Sequence, residues 1–109
     1  MSRAKGDKAE AKAVSFLQKE GFVIIKTNFY SRFGEIDIIA SKSGVLHFVE
    51  VKSGLDYESA INNITSSKLQ KLLKTAQVYL KKNALDMDYT FDAVIVTPDD
   101  VDLIEDITL

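Results

Sequence analysis

The 109-residue chain contains no cysteine. A disulfide framework and a thiolate metal site are therefore both excluded, which agrees with a reducing compartment. Proline occurs once and glycine five times, against 46% hydrophobic residues, and that balance argues for a folded chain over a disordered one. No apolar run approaches the roughly 18 residues that a membrane-spanning helix needs. Met1-Ser2-Arg3-Ala4-Lys5-Gly6 leads into no apolar signal region. The expectation is a cytoplasmic protein, neither exported nor membrane-bound, with a single domain over residues 1–109 and one core.

Positive charge is missing from the last quarter. All 14 Lys and Arg lie at or before Lys82, where 8 of the 16 acids also fall, so residues 1–84 carry +6 and residues 85–109 carry −8. The net charge of −2 hides this division. A basic body with an acidic end suits a polyanionic partner that meets one side, while an ordinary acidic terminal strand explains the end equally well.

Lys8 to Glu20 has the period of an amphipathic helix, with Ala9, Ala13, Phe16 and Leu17 on one stripe. Asp7 is the expected N-cap, Glu10 stands three residues on as in a capping box, and Gly21 is the stop. Phe22 to Lys26, continued by Thr27 to Tyr30, reads as a buried strand that turns at Ser31-Arg32-Phe33-Gly34. Two further strands follow, Gly34 to Ala40 and about Val45 to Ser53, joined through Ser41-Lys42-Ser43-Gly44. Gly54 to Asn63 shows no period and reads as a loop. A second helix, capped by Ser66 or Ser67, runs through Lys82 with Leu69, Leu72, Leu73, Ala76, Val78, Tyr79 and Leu80 at helical spacing. Phe91 to Thr97 is a buried strand, and Val101 to Ile107 a short acidic edge strand. The order predicts an α/β fold, α-β-β-β-α-β-β, with a central mixed sheet flanked by helices.

Strand alternation sets Glu35 and Asp37 on one face with Ile39, and Ile36, Ile38 and Ala40 on the other. Glu50 and Lys52 share a face, with Val49 and Val51 pointing away. A hairpin brings Asp37, Glu50 and Lys52 to one patch, and charged groups amid apolar strands are costly unless they pair or bind something. Two carboxylates on facing strands suit a hard divalent cation, Mg²⁺ or Mn²⁺, and a nearby lysine suits a developing phosphate charge. The plainer reading is a structural ion pair of Lys52 with Glu50 or Asp37. Glu35 is expected to partner Arg32 or a lysine of the second helix, with support of the metal site or ligation of a second ion as the alternative. Asn28 and Arg32 either hold a phosphate or close the turn. Lys68, Lys71 and Lys74 form either a backbone-contacting stripe or a solvated face. Tyr30 and Tyr57 are expected to pack, with base stacking as the alternative. His47 is expected to be a packed or surface histidine.

Gly6-x-x-x-Glu10, Asn28, Arg32, Gly34-Glu35-Ile36-Asp37-Ile38-Ile39-Ala40, Phe48-Val49-Glu50-Val51-Lys52 and Lys68 together resemble the YraN-like family of uncharacterised bacterial proteins, over residues 3–97. That family is similar to the restriction-endonuclease-like, or PD-(D/E)xK, superfamily and within it to Holliday-junction resolvases. The resemblance implies a restriction-endonuclease-like core and metal-dependent hydrolysis of phosphodiesters in branched or otherwise structured DNA. It makes Asp37 and Glu50 the ligands of Mg²⁺ or Mn²⁺, Lys52 the catalytic lysine and Glu10 an additional acid. Lys68 matches a family position, and with Arg32 and Asn28 it forms the set of candidate nucleic-acid contacts. By analogy with the resolvases it also implies a homodimer, because two-fold junction cleavage needs two sites. Family members usually carry an arginine shortly after the lysine motif, where this chain has Ser53-Gly54-Leu55. A non-catalytic nucleic-acid-binding or protein-interaction module that keeps the fold is the alternative.

Overall fold

The computed structural model describes residues 3–108, and side chains from residue 7 onward. Met1, Ser2 and Leu109 of the expected domain lie outside the described residues. In chain order the elements are α1 (Arg3–Lys19), β1 (Val23–Ser31), β2 (Gly34–Lys42), β3 (Val45–Ser53), α2 (Tyr57–Ile61), α3 (Ser66–Lys82), β4 (Tyr89–Val96) and β5 (Val101–Ile104). The strands form one sheet in the order β1-β2-β3-β4-β5. All neighbours are antiparallel except β3 and β4, which are parallel. A parallel neighbour needs a crossover, and α2 and α3 supply it. The expected α/β order and mixed sheet are present, with one short helix added.

Each main helix covers one face. α1 lays Ala9, Ala13 and Leu17 on Ile38, Ala40, Val49 and Val94. α3 lays Leu72, Ala76, Tyr79 and Leu80 on Phe29, Ile36, Ile39, Phe48 and Phe91. α2 adds Ala60, which packs with Ala93 and Ile95. The buried residues fall on the predicted stripes, of which Phe16, Leu69, Leu73 and Val78 are only partly buried. A helix of period 3.6 buries the centre of the arc that carries its apolar residues.

The helix starts differ from expectation. α1 already runs from Arg3, so Asp7 lies inside the helix and caps nothing. Arg3, Ala4 and Lys5 are good helix formers and carry the helix through Gly6 despite the capping pattern that follows. The cap of α3 is Thr65, not Ser66 or Ser67: its side chain accepts from the Lys68 N–H at 3.2 Å. Thr65→Ala is expected to lower stability by about 1 kcal/mol, read as a shift in a urea denaturation midpoint with unchanged slope. The Gly54–Asn63 stretch is not all loop. Asp56 caps α2 by accepting from the Ser59 N–H at 2.8 Å, which holds the Asp56 carboxyl below its usual range. The helix is five residues long, too short to leave a hydrophobic period.

Between β2 and β3 the chain reverses on two residues, Ser43 (φ +53°) and Gly44 (φ +80°), inside the Lys42–Val45 pair. Two successive positive φ angles match the strand twist of a tight hairpin. At the far edge β5 stops at Ile104 rather than Ile107. Beyond it, the Ile107 N–H donates to the Phe91 carbonyl at 2.8 Å and the Asp106 N–H to Asp92 Oδ1 at 2.9 Å. These bonds return the chain end to β4.

Candidate functional site

The site begins as a fork between two strands. β2 and β3 are paired from Lys42–Val45 to Ile38–Val49 and no further, although β3 stays paired with β4 as far as Ser53–Val96. Past Ile38, β2 is held only by β1. The Val51 N–H on the open side of β3 is taken by a side chain, Asp37 Oδ2, at 2.8 Å. A buried main-chain donor has to be satisfied, and Asp37 does this where the ladder ends.

The fork also breaks the alternation expected of β2. Ile36 packs with Ile39 beneath α3, whereas Ile38 and Ala40 pack beneath α1. Ile36 and Ile38 thus face opposite ways, and Ile36 does not share a face with Ile38 and Ala40 as period-2 reading requires. On the partner strand Phe29 pairs with Ile36 and Thr27 with Ile38 in register, but Asn28 between them has φ +54°. Asparagine tolerates that left-handed conformation better than most residues. β3 does keep its alternation, with Leu46 and Phe48 toward α3 and Val49 and Val51 toward α1.

A cleft of about 650 Å³ opens at the fork. Asp37, Glu50 and Lys52 line it, together with Glu10 from α1, Asn28 from β1 and Lys68 from α3. Six of the seven residues singled out in the sequence therefore meet in one place. The seventh, Arg32, sits at the β1–β2 turn and is not part of the lining. Asn28 neither closes a turn nor is left free, because its Nδ2 donates to Glu10 Oε1 at 2.7 Å. That bond ties α1 to the fork.

The cleft holds two unfavourable groupings of like charge. Asp37 is pushed up to about 8, first by burial and then by the adjacent Glu50 carboxyl, acting through a shared hydrogen bond and through its charge. The Val51 N–H and Lys52 oppose the shift but do not cancel it. Lys52 Nζ lies 3.6 Å from Glu50 Oε2, the looser of two ion pairs among the described residues. On the other wall the Lys68 ammonium is held below its usual range, chiefly by the charge of Lys52. Glu10 is raised by burial, partly offset by its bond from Asn28. A divalent cation would relieve the acids and a phosphate would relieve the lysines.

No group of three or more His, Cys, Asp and Glu side chains is close enough to hold a metal among the described residues. Glu10 is engaged with Asn28 and does not join the acidic pair. The donor set is thus two carboxylates. This suits Mg²⁺ or Mn²⁺, which commonly takes one or two protein carboxylates and fills its shell with water and phosphate oxygens.

Residues 9–96, most of the chain and all of the cleft lining except Asp7, match the uncharacterised protein family UPF0102. The chain belongs to that family. It is 64% identical over 109 residues to a UPF0102 protein of Sulfurimonas denitrificans, with 100% of both chains covered. Identity is 55% over 109 residues, again across 100% of both, to one from Wolinella succinogenes. A UPF0102 protein of Helicobacter pylori is 51% identical over 106 residues, which is 97% of this chain and 92% of the relative.

In this UPF0102 chain, Lys71 of the expected α3 stripe lines the cleft beside Lys68, three residues along the same helix face, whereas Lys74 does not. Asp7 lines it as well, which no helix-cap reading would suggest. Glu35 faces the cleft and makes no ion pair with Arg32 or with a helix lysine, contrary to expectation. The ion pairs among the described residues are Lys52–Glu50 and His47–Asp92. His47 is indeed packed, buried beside Phe22 with ring centroids 4.8 Å apart. No helix among the described residues is long and apolar enough to cross a membrane.

Proposed function

We propose that this protein hydrolyses phosphodiester bonds in DNA with the help of Mg²⁺ or Mn²⁺. The observation that carries the reading is the meeting of an acidic pair and a lysine pair in one cleft, Asp37 with Glu50 against Lys52 with Lys68. The resemblance of Gly34–Ala40 and Phe48–Lys52 to the PD-(D/E)xK superfamily supports the same chemistry. Its resolvase-like branch favours branched or structured DNA as substrate. Asp37 and Glu50 would hold the metal, which supplies Lewis acidity toward a phosphate oxygen and a more acidic bound water.

The chain's own groups divide the remaining work. Lys52, one strand period beyond Glu50, orients the attacking water and offsets charge on the pentavalent phosphorus. Lys68 and Lys71 hold the neighbouring phosphate oxygens from the α3 wall. Glu10, kept in place by Asn28, presents a further carboxyl at the mouth. Water oxygen bonds to phosphorus, and the bond from phosphorus to the leaving sugar oxygen breaks. One water proton ends on that oxygen, and the other stays on the new phosphate oxygen or passes to solvent.

Calorimetric titration of Mn²⁺ into the parent protein and a Glu50→Ala variant tests the centre directly. Binding by the parent that is lost in the variant is expected, together with cleavage of branched DNA by the parent alone. Salt-sensitive DNA binding with no product at any metal concentration would mark the protein as a binding module that keeps the fold.

A further inference from the structure

The β1–β2 turn carries a grouping that the cleft chemistry does not use. Phe33 projects from the two-residue tip, and two cations converge on its ring. The Arg32 guanidinium carbon is 4.8 Å from the ring centroid and Lys74 Nζ is 5.6 Å from it. Neither cation makes an ion pair with a carboxylate among the described residues, and both are exposed. Two like charges would ordinarily move apart in water. The aromatic ring attracts each of them and so keeps both beside Phe33.

The turn is also fixed in place. Ser31 Oγ and Thr75 Oγ1 lie 2.9 Å apart, and the Phe33 N–H donates to Ser31 Oγ at 3.0 Å. Thr75 is fully buried and adjoins Lys74 in sequence, so the turn is pinned to α3 beside one of its two cations. A preset pair of cations loses little freedom on meeting an anion.

We propose that the β1–β2 turn is a second phosphate clamp, in which Phe33 gathers Arg32 and Lys74 to grip a nucleic-acid backbone phosphate flanking the one in the cleft. The inference rests on the reading of the cleft as a phosphodiester site. Along α3, six residues separate Lys68 from Lys74, roughly 9 Å at the rise of a helix. That exceeds the spacing of successive phosphates along one strand, itself roughly twice the 3.4 Å axial advance per nucleotide. The clamp therefore takes a different phosphate from the one facing Asp37 and Glu50. The contact is blind to base sequence and fixes how the strand enters the cleft.

The test is fluorescence anisotropy with a labelled four-way DNA junction in EDTA, which prevents cleavage, over salt from about 50 to about 300 mM. Arg32→Ala and Lys74→Ala should each weaken binding several-fold at low salt and reduce the log–log salt slope by about one. Phe33→Leu keeps an apolar side chain without the ring face and should also weaken binding. Combined with Arg32→Ala it should add little beyond the single change. Lys81→Ala, in the last turn of α3, should leave the slope unchanged. If the parent binds and Arg32→Ala and Lys74→Ala retain its slope, the clamp is wrong and the cleft reading survives. If the parent binds no DNA, both fail. Turn-dependent binding without cleavage when metal is restored would keep the clamp and overturn hydrolysis.

Discussion

Asp37→Asn is expected to give a more stable protein that no longer binds Mn²⁺, with a stability gain that grows with pH. The Asp37 carboxyl is raised from 3.8 to about 8 in the folded chain, by burial and by Glu50. Between those values the folded protein keeps a proton that the unfolded chain has released. Stability therefore falls as pH rises through that window: the penalty is absent below the lower value and complete above the upper one. Asparagine carries no charge to desolvate, and its carbonyl oxygen can still accept from the Val51 N–H. The gain over the parent should thus be small near pH 4 and on the order of a few kcal/mol near pH 8. Chemical denaturation at three pH values measures it, and equal gains at all three would show that Asp37 is not held protonated. The same proton competes with a cation. Parent affinity for Mn²⁺ should climb by up to about tenfold per pH unit toward the Asp37 value and then level off. On the proposed reading such a site would give up stability for function, and a bound cation would restore it.

Asp92→Ala should produce the largest loss of stability of any single substitution considered. Asp92 is completely buried on β4 and receives three hydrogen bonds. His47 Nδ1 is 2.5 Å from Oδ2, the Asp106 N–H is 2.9 Å from Oδ1, and Thr90 Oγ1 is 3.3 Å from Oδ1. Removing the carboxyl strands a buried imidazole and a main-chain N–H while leaving a cavity. Breaking a buried pair in this way typically costs about 3–5 kcal/mol, against a total of about 5–15 kcal/mol for a domain. A fall in Tm of roughly 15 °C or more is the expected result. Asp92→Asn, which retains one acceptor, should lose clearly less. In a double-mutant cycle, adding His47→Ala to Asp92→Ala should cost far less than His47→Ala costs alone. A Tm shift of only a few degrees for Asp92→Ala would show that the pair does not hold the chain end. Asp92 is also one of the eight acids of residues 85–109, so part of the acidic end seen in composition is interior structure.

The elements were legible wherever their signal is local. The stripe of Ala9, Ala13 and Leu17, the Leu72–Ala76–Tyr79 face and the Ser43-Gly44 reversal each lie within a few residues of chain. α2 was not legible, because five residues complete barely more than one turn. The α1 cap was misread for a related reason: a capping pattern at Asp7 is locally satisfactory, and only the preceding turn shows that the helix has already begun.

Sequence by itself determined the element order, the two helix faces that reach the core, and the identities of Asp37, Glu50 and Lys52 as charges stranded among apolar residues. Tertiary structure alone decided that β2 and β3 part company at Ile38, turning Asp37 toward the Val51 N–H and opening a cleft between the strands. It also brought Glu10 to Asn28 across 18 residues and His47 to Asp92 across 45. The physical reason is the same in each case. Alternation and helical period constrain a residue through its chain neighbours. Where a ladder ends, and which distant group meets an unsatisfied donor, depends on elements that become neighbours only when the sheet has formed.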